Sequence, residues 1–359
     1  MNAAGKVTTH VLTGFLGAGK TSLLRRLLAL PELSDTAVII NEFGEVGLDH
    51  LLVEAVDEDI VLLKSGCICC NIRGDLRSGL VALMERRRLG TIPAFARIAI
   101  ETTGIADPAP IVATLSADPM LQHHFRMGNV VTVVDVPNGI ANIDAYPESL
   151  RQVAAADRLV MTKTDLASEP ETDRLKARLA AINPAAEIVT LTGAATPDGE
   201  LLLSDIHGEE ARSAEVSRWL AGVATVAKHD HDHPHGLSPR HLHDINRHGD
   251  IRAFVLRADR PLSWPRFALW LSMLLNRHGA KILRLKGLIE LEGVDTPVVI
   301  QGVQHIIHAP LHLKAWPNGA TGTQIVLIVK GLDPALVQRS FDAFNRLGAV
   351  PENPASLAV

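Results

Sequence analysis

The chain has 359 residues, 47% hydrophobic and 21% charged, with a formal net charge of −5. That length suits two domains with separate cores. The balance excludes a disordered chain and gives no bulk reason to expect nucleic acid or an anionic membrane as partner. No apolar run is long enough to span a bilayer, and Met1 to His10 lacks the apolar core of a signal peptide, so a cytoplasmic protein is expected. The three cysteines all fall within Cys67 to Cys70, which is not a disulfide framework.

Val7 to Thr13 is β-prone and runs into Gly14-Phe15-Leu16-Gly17-Ala18-Gly19-Lys20-Thr21, which fits Gly-x-x-x-x-Gly-Lys-Ser/Thr. Ser22 to Leu30 is rich in Leu and Arg and reads as a helix. Strand, loop and helix in that order are what a P-loop requires. Gly14, Gly17, Ala18 and Gly19 let backbone N–H groups converge on phosphate oxygens. The helix opening at Lys20, Thr21 and Ser22 aims its positive end at the same anion. Lys20 is expected to reach the β- and γ-phosphates, and the Thr21 hydroxyl to ligate Mg²⁺.

A second strand, Ala37 to Ile40, leads into Asn41-Glu42-Phe43-Gly44-Glu45-Val46-Gly47-Leu48-Asp49. Loops at this edge of a P-loop GTPase are switches ordered by the γ-phosphate and Mg²⁺, although an ordinary acidic turn has the same composition. Ile60 to Leu63 is a third strand, followed by Lys64-Ser65-Gly66-Cys67-Ile68-Cys69-Cys70. Extended, the segment puts Cys67 and Cys69 on one face and Cys70 on the other, whereas a turn at Cys69–Cys70 brings the three thiols together, a soft set suited to Zn²⁺ or Cu⁺. Tetrahedral Zn²⁺ needs one more ligand, from Glu45, a His or a water; thiols that only pack are the alternative.

Leu76 to Arg88 reads as an amphipathic helix with Arg86, Arg87 and Arg88 at its solvated end. Arg97 to Ile100 is a strand ending at Glu101-Thr102-Thr103-Gly104. There Glu101 suits the Mg²⁺-side carboxylate and Gly104 a backbone approach to the γ-phosphate. Asn129 to Val134 and Asp157 to Met161 follow as strands, the second ending at Thr162-Lys163-Thr164-Asp165. The Asp165 carboxylate can accept from both N1–H and N2–H₂ of guanine, while the Lys163 stem lies over the ring. Ile188 to Leu191 is the last strand, and Thr192-Gly193-Ala194 can pass beneath the base. Residues 1–222 thus read as an α/β unit, a P-loop NTPase parallel sheet with helices on both faces.

Residues 223–249 change composition, with His229, His231, His233 and His235 alternating with Asp or Pro. This is a linker and a loose chelator for Zn²⁺, Co²⁺ or Ni²⁺, if its histidines are more than solvated. Residues 250–348 read as a smaller α+β domain, an antiparallel sheet with helices on one side. Its strands are Asp250–Leu256, Lys281–Leu291, Pro297–Val303 and Thr323–Val329, and its helices Ser263–His278 and Asp333–Arg346. His305 and His308 read as structural, and residues 349–359 as a tail.

The P-loop, the Asn-Glu-Phe-Gly-Glu-Val-Gly loop, Gly66-Cys67-Ile68-Cys69-Cys70, Glu101-Thr102-Thr103-Gly104 and Thr162-Lys163-Thr164-Asp165 together resemble the CobW-like family of P-loop GTPases, metallochaperones and metalloenzyme activators. Gln301-Gly302-Val303-Gln304-His305 and Trp316-Pro317-Asn318-Gly319 are similar to that family's C-terminal domain, so the resemblance covers nearly the whole chain. It implies that Cys67, Cys69 and Cys70 hold the metal, that Glu101 takes a Walker-B-like role, and that Lys163 and Asp165 read guanine. Two positions depart. Thr162 stands where many GTPases have Asn, which removes an amide that braces the base site. Ile40 stands where some relatives carry another Glu.

The function expected is GTP hydrolysis coupled to custody of Zn²⁺ or Co²⁺, with delivery to a client metalloprotein or metal-insertion enzyme. No arginine finger or water-positioning Gln stands out, so intrinsic turnover is expected to be slow and quickened by the client or by a homodimer. A P-loop small-molecule kinase leaves the cysteines without a role, and a non-enzymatic metal buffer leaves the P-loop without one.

Overall fold

The computed structural model describes residues 5–41, 53–57, 60–63, 68–71, 76–193, 195, 197–203, 214–220, 251–317 and 320–346; of 41, 53–57, 60–63 and 68–71 it describes the backbone alone. In chain order the first unit runs β1 (Val7–Gly14), α1 (Lys20–Leu28), β2 (Thr36–Asn41), β3 (Val53–Asp57), β4 (Ile60–Leu63), β5 (Ile68–Asn71), α2 (Leu76–Leu89) and β6 (Arg97–Thr102). It continues α3 (Ala109–Ala117), α4 (Pro119–His124), β7 (Phe125–Asp135), α5 (Val136–Ala145), α6 (Pro147–Ala155), β8 (Arg158–Thr162), α7 (Glu169–Ile182), β9 (Glu187–Thr190), α8 (Glu200–Leu203) and α9 (214–220).

Nine strands form one sheet in the order β3-β4-β5-β2-β6-β1-β7-β8-β9. From β5 to β9 every neighbour is parallel. All eight residues of β1 are buried, because a central parallel strand is covered on both faces and cannot alternate polar with apolar. On one face Val11, Ile39 and Ile98 pack with Leu80 of α2 and Val112 of α3. On the other Leu12, Val38 and Val133 pack with Leu23 and Leu27 of α1.

In this sheet the described elements add one strand to those that the sequence leads one to expect. β3 was not anticipated; it pairs antiparallel with β4, and β4 antiparallel with β5, so the sheet carries an antiparallel edge. Of the two conformations that the sequence leaves open at Cys69–Cys70, the structure has the extended one, since Ile68–Asn71 pair along β2 with Val38↔Cys69 and Ile39↔Cys70 in register. Ladder hydrogen bonds to β2 and β4 on both sides satisfy this backbone, which a turn would leave unpaired.

The second unit runs β10 (Ile251–Arg257), α10 (Trp264–His278), β11 (Ile282–Ile289), β12 (Val298–Val303), β13 (Ile306–Ile307), β14 (Leu311–His312), β15 (Gln324–Lys330) and α11 (Pro334–Arg346). Its six-stranded sheet is antiparallel, β10-β15-β11-β12-β13, with β14 beside β12. Two short strands, β13 and β14, add to the four expected. Residues of β15 alternate with period two. Ile325, Leu327 and Val329 meet Phe267 and Trp270 of α10 and Phe341 of α11. Ile328 faces the first unit in a cluster with Val153 and Leu179, and Val326 does so in one with Val216 and Trp219. The helices lie on one side, as expected, and the first unit covers the other. Among the described residues no helix is long and apolar enough to cross a membrane.

Buried charge crosses this interface. Asp157, at the entrance to β8, is met by the Arg284 guanidinium and by Lys286 Nζ at 2.9 Å, both from β11, and its Oδ2 accepts from Val130 N at 2.9 Å. Next to it Arg158 binds Glu187 and, at 2.7 Å, Glu215. Burial alone would raise the Asp157 carboxyl; Arg284 and Lys286 outweigh it and hold the group far below the usual carboxylate range. A carboxyl depressed in the folded state contributes stability above its unfolded pKa, and that stability is lost as acid protonates it. Asp157→Asn leaves two buried cations short of their counter-ion and is expected to cost about 3–5 kcal/mol in urea unfolding. The native chain is expected to lose stability below about pH 4, and the variant should flatten that fall. Unchanged unfolding curves would show that the cluster is not coupled to folding.

Candidate functional site

The loop between β1 and α1 is built on left-handed glycines. Gly14, Gly17 and Gly19 have φ of 140°, 71° and 96°, a region that L side chains enter at a cost. At Gly14 space is lacking as well: a Cβ would lie 2.2 Å from the Val133 carbonyl oxygen of β7. Lys20 is buried, and its Nζ donates to the carbonyls of Gly14 at 2.9 Å and Phe15 at 3.2 Å. The ammonium is thus held inside the loop, where phosphate oxygens are the stronger acceptors. Phe15 stacks on Tyr146, ring centroids 4.7 Å apart.

Thr21 Oγ1 donates to Glu101 Oε1 at 2.6 Å. A hydroxyl at the first turn of α1 and a carboxylate at the end of β6 therefore share one point. That hard oxygen pair fits Mg²⁺, which takes few protein ligands and completes its shell with water and phosphate. Just beyond, Gly104 sits so close to the P-loop that a Cβ would lie 2.6 Å from Leu16 N. Its carbonyl accepts from Gln152 Nε2 at 3.1 Å, and that same nitrogen donates to Ala106 O at 2.9 Å. Gln152, buried on α6, thus pins the loop after β6. Sequence reading passed over it; the available signal was a lone amide among the apolar residues of that helix.

The base-side loops are tied to the P-loop. Thr162 Oγ1 donates to Ala18 O at 2.7 Å, Thr164 Oγ1 to Leu191 O at 3.0 Å, and Arg26 of α1 to Gly193 O at 3.2 Å. The brace expected to be missing at Thr162 is therefore present: a hydroxyl reaches the P-loop carbonyl directly. Lys163 adopts a left-handed conformation (φ 55°), and its Nζ lies 3.6 Å from Asp135 Oδ2, a buried carboxylate that also accepts from Asn138 Nδ2 at 2.6 Å. Asp135, to which sequence reading gave no role, anchors the Lys163 side chain. Asp165 follows in an exposed turn.

Gly14 to Ser22, Glu101, Gly104, Lys163 and Asp165 thus gather at the carboxyl edge of the sheet. Glu45, Cys67, His229, His231, His233 and His235 lie outside the described residues. Cys69 and Cys70 are described as backbone. Their strand lies two strands from Glu101, with Asn71↔Ile40 and Ile40↔Glu101 in register. Among the described residues no group of three or more His, Cys, Asp or Glu is placed to hold a metal.

A glycine-built phosphate loop, a buried lysine and a Thr–Glu oxygen pair at the carboxyl edge of a parallel sheet define a P-loop nucleoside-triphosphatase. Residues 8–190 match the family model described as CobW/HypB/UreG, nucleotide-binding domain, and residues 251–345 match that of the cobalamin synthesis protein cobW C-terminal domain. The chain belongs to the CobW/HypB/UreG family and is a GTPase. It is 33% identical over 303 residues to the zinc chaperone YjiA of Escherichia coli, covering 84% of this chain and 88% of that one. It is 32% identical over 350 residues to the zinc-regulated GTPase metalloprotein activator 1 of Schizosaccharomyces pombe, covering 91% and 83%. The crystal structure of Zn(II)-bound YjiA GTPase from E. coli superposes with a TM-score of 0.71 at 30% identity, covering 95% of this chain and 98% of that one.

Because one hydroxyl joins the base loop to the phosphate loop, Thr162→Val is expected to weaken GTP binding about fivefold, the worth of one hydrogen bond of roughly 1 kcal/mol. Thr162→Ser should keep it. Equal affinities for all three in a titration would remove the brace from the site.

Proposed function

We propose that this GTPase is a metallochaperone that takes up Zn²⁺ through Cys67, Cys69 and Cys70 and passes it to a client metalloprotein under control of its nucleotide state. The observation that carries the reading is the register of the sheet. β5, which bears Cys69 and Cys70, pairs with β2, and β2 pairs with the strand that ends in Glu101. At about 4.8 Å per strand, the cysteine strand lies roughly 10 Å from the carboxylate that shares a point with Thr21. The residues between β2 and β5 include Glu45, which serves as a further ligand. His229, His231, His233 and His235 serve as accessory collectors that pay ordering entropy on binding. That the E. coli and fission yeast relatives are named for zinc supports Zn²⁺ over Co²⁺ as cargo.

In hydrolysis, water attacks the γ-phosphorus, the bond to the β–γ bridging oxygen breaks, and GDP and phosphate leave. Lys20 moves from its loop carbonyls to the β- and γ-phosphate oxygens. The N–H groups of Gly17 to Ser22 hold the remaining oxygens, and Gly104, pinned by Gln152, presents backbone to the γ-phosphate. Mg²⁺, held by Thr21 and Glu101, supplies neutralisation of the charge that develops on the phosphates. Lys163 and Asp165 select guanine, and the client or a second copy of the chain quickens turnover.

Asp165→Asn is expected to weaken GTP far more than xanthosine triphosphate, because an amide no longer accepts from both guanine donors; unchanged GTP affinity would reduce Lys163–Asp165 to a surface tripeptide.

The coupling has its own readout. Competition against a chelator, with GDP and with a slowly hydrolysed GTP analogue, should give Zn²⁺ affinities differing by roughly 5- to 150-fold. The Cys67→Ala, Cys69→Ala, Cys70→Ala variant should still bind GTP yet lose tight Zn²⁺, and in the parent chain that Zn²⁺ should bind more tightly as pH rises. Equal Zn²⁺ affinities in the two nucleotide states would leave a metal-binding GTPase without nucleotide-driven transfer.

A further inference from the structure

Helix α4 carries Met120, His123 and His124 at positions i, i+3 and i+4. At about 100° per residue, the three fall within one sector of the helix roughly 100° wide. All three are exposed. Leu121, buried with Leu115 and Phe125 in the core, fixes which sector faces outward. Asp118 caps the helix: its Oδ1 accepts from Met120 N at 2.9 Å and Leu121 N at 3.0 Å, and its Oδ2 accepts from Arg77 of α2. This short helix is thus held at its start and by its core residue. The His123 and His124 rings stand with centroids 4.8 Å apart, at 82° to each other. A metal held at about 2.1 Å by one nitrogen from each of two imidazoles sets their centroids roughly 4.6–5.5 Å apart. The ring planes are free to turn about the metal–nitrogen bonds, so the perpendicular arrangement is compatible with a shared ion.

We propose that Met120, His123 and His124 form a site for a soft monovalent ion, Cu⁺ or its analogue Ag⁺, separate from the cysteine strand and from the nucleotide site. A thioether selects soft ions, and imidazole binds them as well. None of the three ligands carries a negative charge, so they leave a divalent ion unneutralised. Lys6 Nζ, on the Gln122 carbonyl at 2.6 Å, adds a positive charge nearby, which repels a dication more strongly than a monocation. A filled d shell imposes no geometry, so ligands converging from one helix face suffice. The exposed side of the site leaves a coordination position for an incoming ligand, as transfer between proteins requires.

The test is nuclear magnetic resonance of the full chain labelled with ¹³C at the methionine methyl groups, of which the sequence has six. Ag⁺, which does not change oxidation state in air, is added past the point at which the cysteine thiols are filled. The Met120 methyl signal, assigned by its loss in Met120→Leu, is expected to shift as the sulfur binds. Met273 is a control, since it is 53% exposed against 48% for Met120 and has no His beside it on its helix face. Its signal should stay. His123→Leu and His124→Leu should each abolish the Met120 shift, while the other methyl signals keep their positions and show the fold intact. Zn²⁺ at the same concentration should leave Met120 unmoved. No Met120 shift once the thiols are filled would overturn the proposal, as would a shift that survives both histidine replacements. An equal shift of Met273 would reduce the effect to unspecific binding of silver by exposed thioethers, and an equal response to Zn²⁺ would remove the preference for a soft monovalent ion; either result overturns the site as stated.

Discussion

The nucleotide edge depends on one close approach, that of Gly14 to the Val133 carbonyl of β7. No side chain fits between them, so the phosphate loop starts from a fixed point on the central strands. From there the chain reaches Lys20 through two further left-handed glycines, Gly17 and Gly19, and α1 packs Leu23 and Leu27 onto the sheet behind it. Every other part of the site is referred to this loop. Glu101 touches Thr21, Gly104 abuts Leu16, and Thr162 holds Ala18. The loop is therefore a hub whose contacts run to β6, β7 and β8 at once, and a shift in any of these strands is felt at the phosphates.

β8 joins two sorts of order. Its last residues brace the phosphate loop and carry the base-side turn, and its entrance holds Asp157 and Arg158 in the charge cluster shared with β11 and α9. Hydrophobic clusters flank that cluster, with Leu283 and Ile328 on one side and Val299 and Val326 on the other. Apolar area supplies the attraction between the two sheets, and the charges fix which residues meet, because Arg284 or Lys286 displaced by one strand position would be buried without a partner.

Much of this was legible in the sequence because it is written in local rules. The glycine spacing of the P-loop and the apolar runs of β1, β2, β6, β7, β8 and β15 each announce their conformation within a few residues. What escaped depends on distant partners. β3, Val-Glu-Ala-Val-Asp, carries no apolar signal stronger than a loop's and becomes a strand through pairing with β4. At Cys69–Cys70 the sequence is compatible with either a turn or a strand, and pairing with β2 and β4 decides for the strand. Thr162 looked like a loss by comparison with Asn; its hydroxyl finds a carbonyl 144 positions earlier in the chain. Gln152 and Asp135 matter only because the fold brings Gly104 and Lys163 to them.

The buried charges between the sheets have an architectural consequence. The second sheet is seated on the first by Asp157, Arg284, Lys286 and the apolar residues around them. Its position is therefore not delegated to the covalent connection through residues 221–250. A chain of this design can lengthen, shorten or rewrite that connection, His-rich or not, and keep its quaternary-like docking of one half upon the other. Cut there, the two halves would behave as subunits of a heterodimer whose recognition code is three charged side chains.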